Sequence, residues 1–288
     1  MVTGANSGRL GEKAKHLTPN PDDQKMISVL SDFVSAASFQ PVAKITKSAW
    51  VEHAPFAFWL METLRPRCLV ELGVFYGFSY LAMCQAASSL SPRPRCYGVD
   101  NWSGDEHAGY YGREVFEKLK HYHDGLYSHF SQLVRSSFDE AASQFADGSI
   151  DLLHIDGRHF YRDVKHDFET WQPKLSDRSV VLFHDTNVRD RGFGVWKLWE
   201  QLSSQYPSFE FIHGYGLGVL GYGGAVPAPL ERLFEAAKDG ETADAVRDVY
   251  FRLGALFSES ERYNEASARM DPLWNRHHRC VPLDTTVT

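Results

Sequence analysis

Short apolar runs alternate with amphipathic stretches along most of this chain. Runs at Cys68–Val74, Arg95–Asp100, Ser131–Ser136, Ile150–Ile155 and Ser179–Phe183 have the length and content of strands. Between them, apolar residues recur every three or four positions. This predicts helices over Gly77–Ser88, Arg113–Tyr127, Phe138–Phe145, Tyr161–Trp171 and Phe193–Gln205. A β-α-β-α rhythm implies an α/β fold, a doubly wound and mostly parallel sheet with right-handed crossovers. The rhythm breaks after residue 205. Phe209-Glu-Phe-Ile-His213 and Leu217-Gly-Val-Leu-Gly-Tyr222 flank Gly214-Tyr-Gly216, a link too short for a crossover. They form a C-terminal hairpin, which completes a seven-stranded sheet with one antiparallel strand.

Helical periodicity also covers Pro21–Ala37 and the aromatic stretch Ser48–Leu64, which Arg65-Pro-Arg67 stops. Two further helices are expected at Ala228–Ala237 and Thr242–Phe257. The organisation expected is a mobile N-terminal tail over 1–20, N-terminal helices over 21–66, an α/β domain over 67–224, and C-terminal helices and tail over 225–288. The segment from about Met270 looks irregular.

Composition narrows the class only a little. The 288 residues suit one large α/β domain with extensions. A net charge of −7 argues against a nucleic-acid surface. No apolar run approaches the roughly 18 residues of a membrane span, and the N-terminal stretch lacks the apolar core of a secretory signal. Cys68, Cys84, Cys96 and Cys280 show no metal-type spacing, so reduced thiols in a cytoplasmic protein are expected.

The candidate chemistry sits at strand tips. Ile150-Asp-Leu-Leu-His-Ile-Asp-Gly-Arg-His159 ends in Asp156 and His159, and Val180-Val-Leu-Phe-His-Asp-Thr-Asn187 ends in His184, Asp185 and Asn187. Such groups cost free energy when desolvated unless a cation or partner compensates. They read as a divalent-metal or acid/base site at the carboxyl edge of the sheet. The plainer alternative is a carboxylate pair bridged by Arg158 or Arg189.

The first strand–helix turn reads Val70-Glu-Leu-Gly-Val-Phe-Tyr-Gly-Phe-Ser79. A dinucleotide site wants G-x-G-x-x-G, so that backbone amides close on a pyrophosphate. Here bulky Phe75 and Tyr76 separate Gly73 from Gly77, which suits a cofactor without phosphate, such as S-adenosylmethionine. Gly73 would let the backbone approach it. Glu71 would serve its ammonium and Ser79 its amino-acid end, with Tyr76 in the same turn. Asp100, ending the second strand, is placed to accept both ribose hydroxyls. Trp102 would stack on adenine or be core.

Glu71–Ser79, His154-Ile-Asp-Gly-Arg-His-Phe-Tyr161 and Val181-Leu-Phe-His-Asp185 together resemble the class I S-adenosylmethionine-dependent methyltransferases, whose Rossmann-like sheet ends in the same kind of hairpin. Within them the chain is similar to the metal-dependent branch of macrocin-type sugar O-methyltransferases and cephalosporin-pathway methyltransferase-like proteins. His184–Trp196 and His213–Val219 also resemble methyltransferase modules found beside glycosyltransferases. The likeness covers about Trp50 to Gly223. It implies Asp156 and Asp185 as metal carboxylates and His159 as the catalytic base. His184 stands where relatives often carry an acidic residue. Asn187 is a rival third ligand, after the Asp-Asn pair of catechol-type enzymes. Magnesium is the default cation, with manganese or iron suited to an imidazole ligand. Ser136 and Ser137 fall where relatives contact adenine.

Softer expectations remain. Tyr110, Tyr111, His121 and His123 lie in a polar, aromatic insertion expected to be a substrate lid. His213 and Tyr215 would line the acceptor pocket. His154 alternates with apolar neighbours and reads as a core histidine, and His166 as a solvated one. Trp50, Phe56 and Trp59 form a core stripe or a face between subunits of a homo-oligomer. The function expected is metal-assisted O-methylation of a sugar hydroxyl on a glycan or glycosylated small molecule, with a glycosyltransferase as possible partner or fusion. The rivals are an inactive cofactor-binding scaffold and a nicotinamide-dependent oxidoreductase.

Overall fold

The computed structural model describes residues 30–270, residues 45 and 47 excepted. Most of the expected Pro21–Ala37 helix, the 1–20 tail, the tail beyond residue 270 and Cys280 lie outside the described residues.

Seven strands form the main sheet: β1 (Cys68–Leu72), β2 (Arg95–Asp100), β5 (Ser131–Arg135), β6 (Ile150–Ile155), β7 (Leu175–His184), β8 (Ser208–Phe211) and β9 (Leu217–Gly221). Their order is β5-β2-β1-β6-β7-β9-β8. The pairings up to β6–β7 are parallel, and β9 runs antiparallel to both β7 and β8. The fold class is therefore as the sequence implied: a mostly parallel seven-stranded α/β sheet closed by one antiparallel hairpin strand. A small second hairpin, β3 (Gly104–Asp105) with β4 (Gly109–Tyr110), occupies the polar insertion after β2.

Side chains alternate across each strand, so the sheet separates two cores. On one face, Leu69, Leu152, Val180, Leu182 and Val219 pack under α1 (Ala54–Leu64), α2 (Phe78–Ser88), α3 (Arg113–Leu126), α7 (Ala228–Ala236) and α8 (Gly240–Met270). On the other, Val70, Leu72, Leu153, Ile155, Val181 and Phe183 pack under α4 (Phe138–Ala142), α5 (Tyr161–Trp171) and α6 (Val195–Ser203). The aromatic stripe of Trp50, Phe56 and Trp59 is part of the first core.

Two boundaries differ instructively from the pattern. The second N-terminal helix begins at Ala54 rather than at Ser48, preceded by a 3-10 turn over Val51–His53. Strand β7 starts four residues before the apolar run, because polar Ser176 finds a buried partner. Its Oγ donates to Asp151 Oδ1 at 2.7 Å. Asp151 also accepts the backbone N–H of Arg67 at 2.7 Å and pairs with its guanidinium at 2.8 Å. Burial alone would raise this carboxyl, but those bonds hold it below the usual range.

The β1–α2 turn is tightly packed against the β6 tip. Gly73 has φ +90°, and a Cβ there would lie 2.1 Å from the carbonyl oxygen of Asp156. Gly73→Ala is expected to cost at least ~2 kcal/mol, from the left-handed backbone and the clash together. A thermal melt within a degree of wild type would show that the β1 and β6 tips are not in this register.

Candidate active site

Strand tips at the carboxyl edge build the site, because parallel strands bring their carboxyl ends to one side. Read across the sheet, they place Ser136 after β5, Asp100 on β2, Gly73 after β1, Asp156 after β6 and Asp185 after β7. A cleft of about 420 Å³ opens over them, within the range of small-molecule sites. Its walls include Gly73, Phe75, Asp100, Tyr111, Ser137, Asp156 and His159.

The structure brings Asp156, His184, Asp185 and His159 together. One ligand atom from each of Asp156, His184 and Asp185 lies within 4.8 Å of the others. His184 Nδ1 is 3.3 Å from Asp156 Oδ1 and 3.6 Å from Asp185 Oδ2. Its Nε2 lies 3.0 Å from the carbonyl oxygen of Gly214, so Nε2–H donates there and Nδ1 faces the carboxylates. Metal-binding histidines are oriented in this way, with the far N–H on a carbonyl. His159 Nε2 sits 2.8 Å from Asp185 Oδ2 and 3.5 Å from Asp156 Oδ1. The carboxylates are thus bridged by imidazoles, not by arginines. Arg158 pairs with Glu106, and Arg189 donates to the Thr186 carbonyl.

Electrostatics follow from this packing. Burial would lower both histidines, but the two carboxylates outweigh it and raise His159 to about 10 and His184 to about 9. Burial would raise Asp156, yet the charge of His184 and the bonds from His159 and His184 hold it well below the carboxylate range. Without a cation, the cluster is two carboxylates neutralised by two imidazoliums. These histidines stabilise the fold fully below pH ~6.5, and that contribution is lost as pH rises through about 9–10.

The expected cofactor residues divide. Gly73, Asp100 and Ser137 line the cleft. Asp100 also pins the β1–α2 turn: Oδ2 accepts Phe75 N–H at 2.9 Å and Oδ1 accepts Trp102 N–H at 2.7 Å. Burial raises its carboxyl, and those backbone bonds oppose the rise. Glu71 and Ser79 lie outside the cleft lining. Glu71 is fully buried, accepts Ser79 Oγ–H at 2.7 Å and lies 3.1 Å from His154 Nδ1, so the carboxylate and hydroxyl hold each other beneath the turn. Trp102 takes the core alternative. It is buried, its Nε1–H donates to the Phe75 carbonyl at 3.1 Å, and its ring packs on Phe116. It therefore supports Phe75 in its left-handed conformation (φ +53°) instead of facing the cleft. Tyr76 lies outside the cleft lining, edge-on to Phe75.

Asn187 is not brought to the cluster. Its amide donates to the Ile212 carbonyl at 3.1 Å, tying β7 to the hairpin. His213 packs on His53, with ring centroids 4.8 Å apart, and Tyr215 is 55% exposed in the turn. Neither lines the cleft, because Gly214 turns the chain toward His184 and His53 before reaching it. Of the expected lid, Tyr111 lines the cleft, but His123 is a core residue whose Nε2 lies 2.7 Å from Ser131 Oγ.

Some participants carried no sequence signal. His107, at the tip of the β3–β4 hairpin, packs against His159, Phe160 and Phe193. Phe193 stacks on His159, with centroids 4.5 Å apart and planes 9° from parallel. Phe193 lies within the His184–Trp196 segment, but nothing in that segment marked it as a partner of His159.

The model of the methyltransferase domain family matches residues 70–186, a span that contains every strand tip of the cleft. The matched span is thus similar to a methyltransferase domain. Over 194 residues it is 51% identical to the uncharacterized protein y4gI of Sinorhizobium fredii, covering 67% of this chain and 21% of that protein. The chain thus spans about a fifth of that relative's length. Among solved structures it is similar to a putative caffeoyl-CoA O-methyltransferase from Staphylococcus aureus (TM-score 0.48, 13% identity, 69% of this chain and 98% of that one). It is also similar to the O-methyltransferase TomG from Streptomyces achromogenes (TM-score 0.46, 16% identity, 70% and 90%). No helix among the described residues is long and apolar enough to cross a membrane.

Proposed function

We propose that this chain transfers a methyl group from S-adenosylmethionine to a sugar hydroxyl, on a glycan or glycosylated small molecule, with a divalent cation at Asp156, Asp185 and His184. The observation that carries this reading is the Asp156–His184–Asp185 cluster at the cleft, with its imidazole oriented by the Gly214 carbonyl. The donor set of two carboxylates and one imidazole suits magnesium or manganese. A cation held there supplies Lewis acidity that favours ionisation of an acceptor hydroxyl. The sugar as acceptor rests on the likeness of the strand-tip motifs to sugar O-methyltransferases.

The chain's own residues do the rest. Asp100 and Ser137 face the cofactor's ribose and base. His159 receives the acceptor's proton at Nε2, held in place by the stacked ring of Phe193. The carboxylates that keep His159 protonated are the ones a cation would neutralise, so the base becomes available only in a loaded site.

Cation binding must therefore displace protons from His159 and His184. Affinity for magnesium or manganese is expected to rise between pH ~7 and ~9, with proton release. Isothermal titration in two buffers of different ionisation enthalpy measures this, and a pH-independent affinity without proton release would remove the cation from this cluster. Titration with S-adenosylhomocysteine, with and without metal, tests the cofactor. Micromolar binding is expected, and no binding in either condition would sink the reading.

A further inference from the structure

We propose that Asp167 recognises the adenine edge of the cofactor that carries N1 and the amino group. The proposal rests on the S-adenosylmethionine reading above and adds a specificity determinant to it.

The topology says which end of the cleft takes the base. The ionic cluster lies on β6 and β7, and Asp100 lies two strands away on β2. A cofactor with its reacting centre at the cluster and its ribose at Asp100 must extend its base toward β5. There Ser136 N–H bonds the Asp100 carbonyl, and Ser137, Phe138, Asp139, Asp163, His166 and Asp167 close the cleft. Gly157 sits against this end. A Cβ on it would come within 2.6 Å of the Phe138 ring and 3.3 Å of Asp167 Oδ2. A bare backbone, an aromatic ring and one carboxyl thus converge on one end of the cleft, an arrangement that suits a flat heterocycle.

Asp167 is the unexplained member of that group. It is 7% exposed and lines the cleft. The other acids there are paired: Asp139 with His166 at 2.8 Å, and Asp163 with Arg158 and Arg162. Asp167 has no hydrogen-bond or ion-pair partner among the described residues. A carboxyl in the wall of a cleft, with no partner from the protein, is open to a ligand's hydrogen bonds. Burial raises Asp167 to about 7; the charge of His166 opposes this, while Asp139 from α4 and Asp163 from α5 add to it. Arg158, on the loop before α5, is engaged by Glu106. A neutral carboxyl presents O–H and C=O side by side, the complement of adenine's N1 acceptor and amino donor. An ionised one keeps only the amino-group bond.

Isothermal titration of the full chain with S-adenosylhomocysteine, at pH 6 and pH 8.5, tests this. Wild type is expected to bind ~10-fold more weakly at the higher pH. Asp167→Asn offers the same donor and acceptor without a titration, so it should bind within ~3-fold of the pH 6 value at both. Asp167→Leu should bind ~10-fold more weakly than wild type at pH 6. The proposal fails if the leucine variant binds like wild type, or if the pH dependence persists in Asp167→Asn. If wild type binds at neither pH, the cofactor reading itself fails first. Folding is checked separately. The folded-state value lies above the unfolded one, so wild type loses stability as pH rises through about 7. Both variants should melt at or above wild type at pH 8.5, and a lower melt would make Asp167 a fold anchor and overturn the proposal.

Discussion

Alanine at Asp185 or Asp156 is expected to lower turnover by at least ~10³-fold while S-adenosylhomocysteine binds within a few-fold of wild type. The two effects separate because the carboxylates sit at the β6 and β7 tips, whereas Asp100 and Ser137 lie toward β5. Each variant also leaves His159 and His184 facing one carboxylate instead of two, so both imidazoles should titrate closer to neutrality. Steady-state turnover of an acceptor, paired with titration of the product cofactor, measures the split. A variant that loses both activities together would instead place the carboxylate in the fold. Full activity of wild type in excess chelator would remove the cation, whatever the variants do.

His159→Ala is expected to reduce turnover by ~10²- to 10³-fold near pH 7, the usual scale for losing a positioned base. The deficit should narrow above about pH 8, where solvent base substitutes. In the loaded enzyme, the limb of the kcat/KM profile that rises with pH is assigned to His159, so that limb should vanish in the variant. Phe193→Leu gives a second view. It keeps the imidazole but removes the stacked ring that orients it, so kcat should fall with the limb retained. A His159→Ala profile of unchanged shape would take the base role from this residue.

Much of this site could be read along the chain. Asp156, His159, His184 and Asp185 end apolar strands, and parallel strands send such ends to one edge whatever the details of packing. The closing hairpin also followed from periodicity, because a three-residue link between two strands leaves little alternative, whereas the strand order came only from the structure. Glu71 was legible only in part, for a physical reason. Its place in a strand next to a glycine turn is visible in sequence, but which face of β1 it takes, and that Ser79 and His154 meet it there, depends on packing between β1, α2 and β6. Trp102 was ambiguous in the same way, and only its bond to the Phe75 carbonyl decides for support over contact.

By itself, the sequence determined what hydrophobic period and strand-tip chemistry can determine: the α/β class, the seven strands, and the clustering of carboxylates and imidazoles at one edge. Tertiary structure decided which polar groups spend themselves on one another. It turned Asn187 to the Ile212 carbonyl and His184 to the Gly214 carbonyl, and it brought Phe193 and His107 onto His159. It also left Asp167 in the wall of the cleft with no hydrogen-bond or ion-pair partner among the described residues. Those outcomes depend on contacts between segments far apart in the chain. A side chain's period shows which face of an element it occupies, but not which distant atom it will find there.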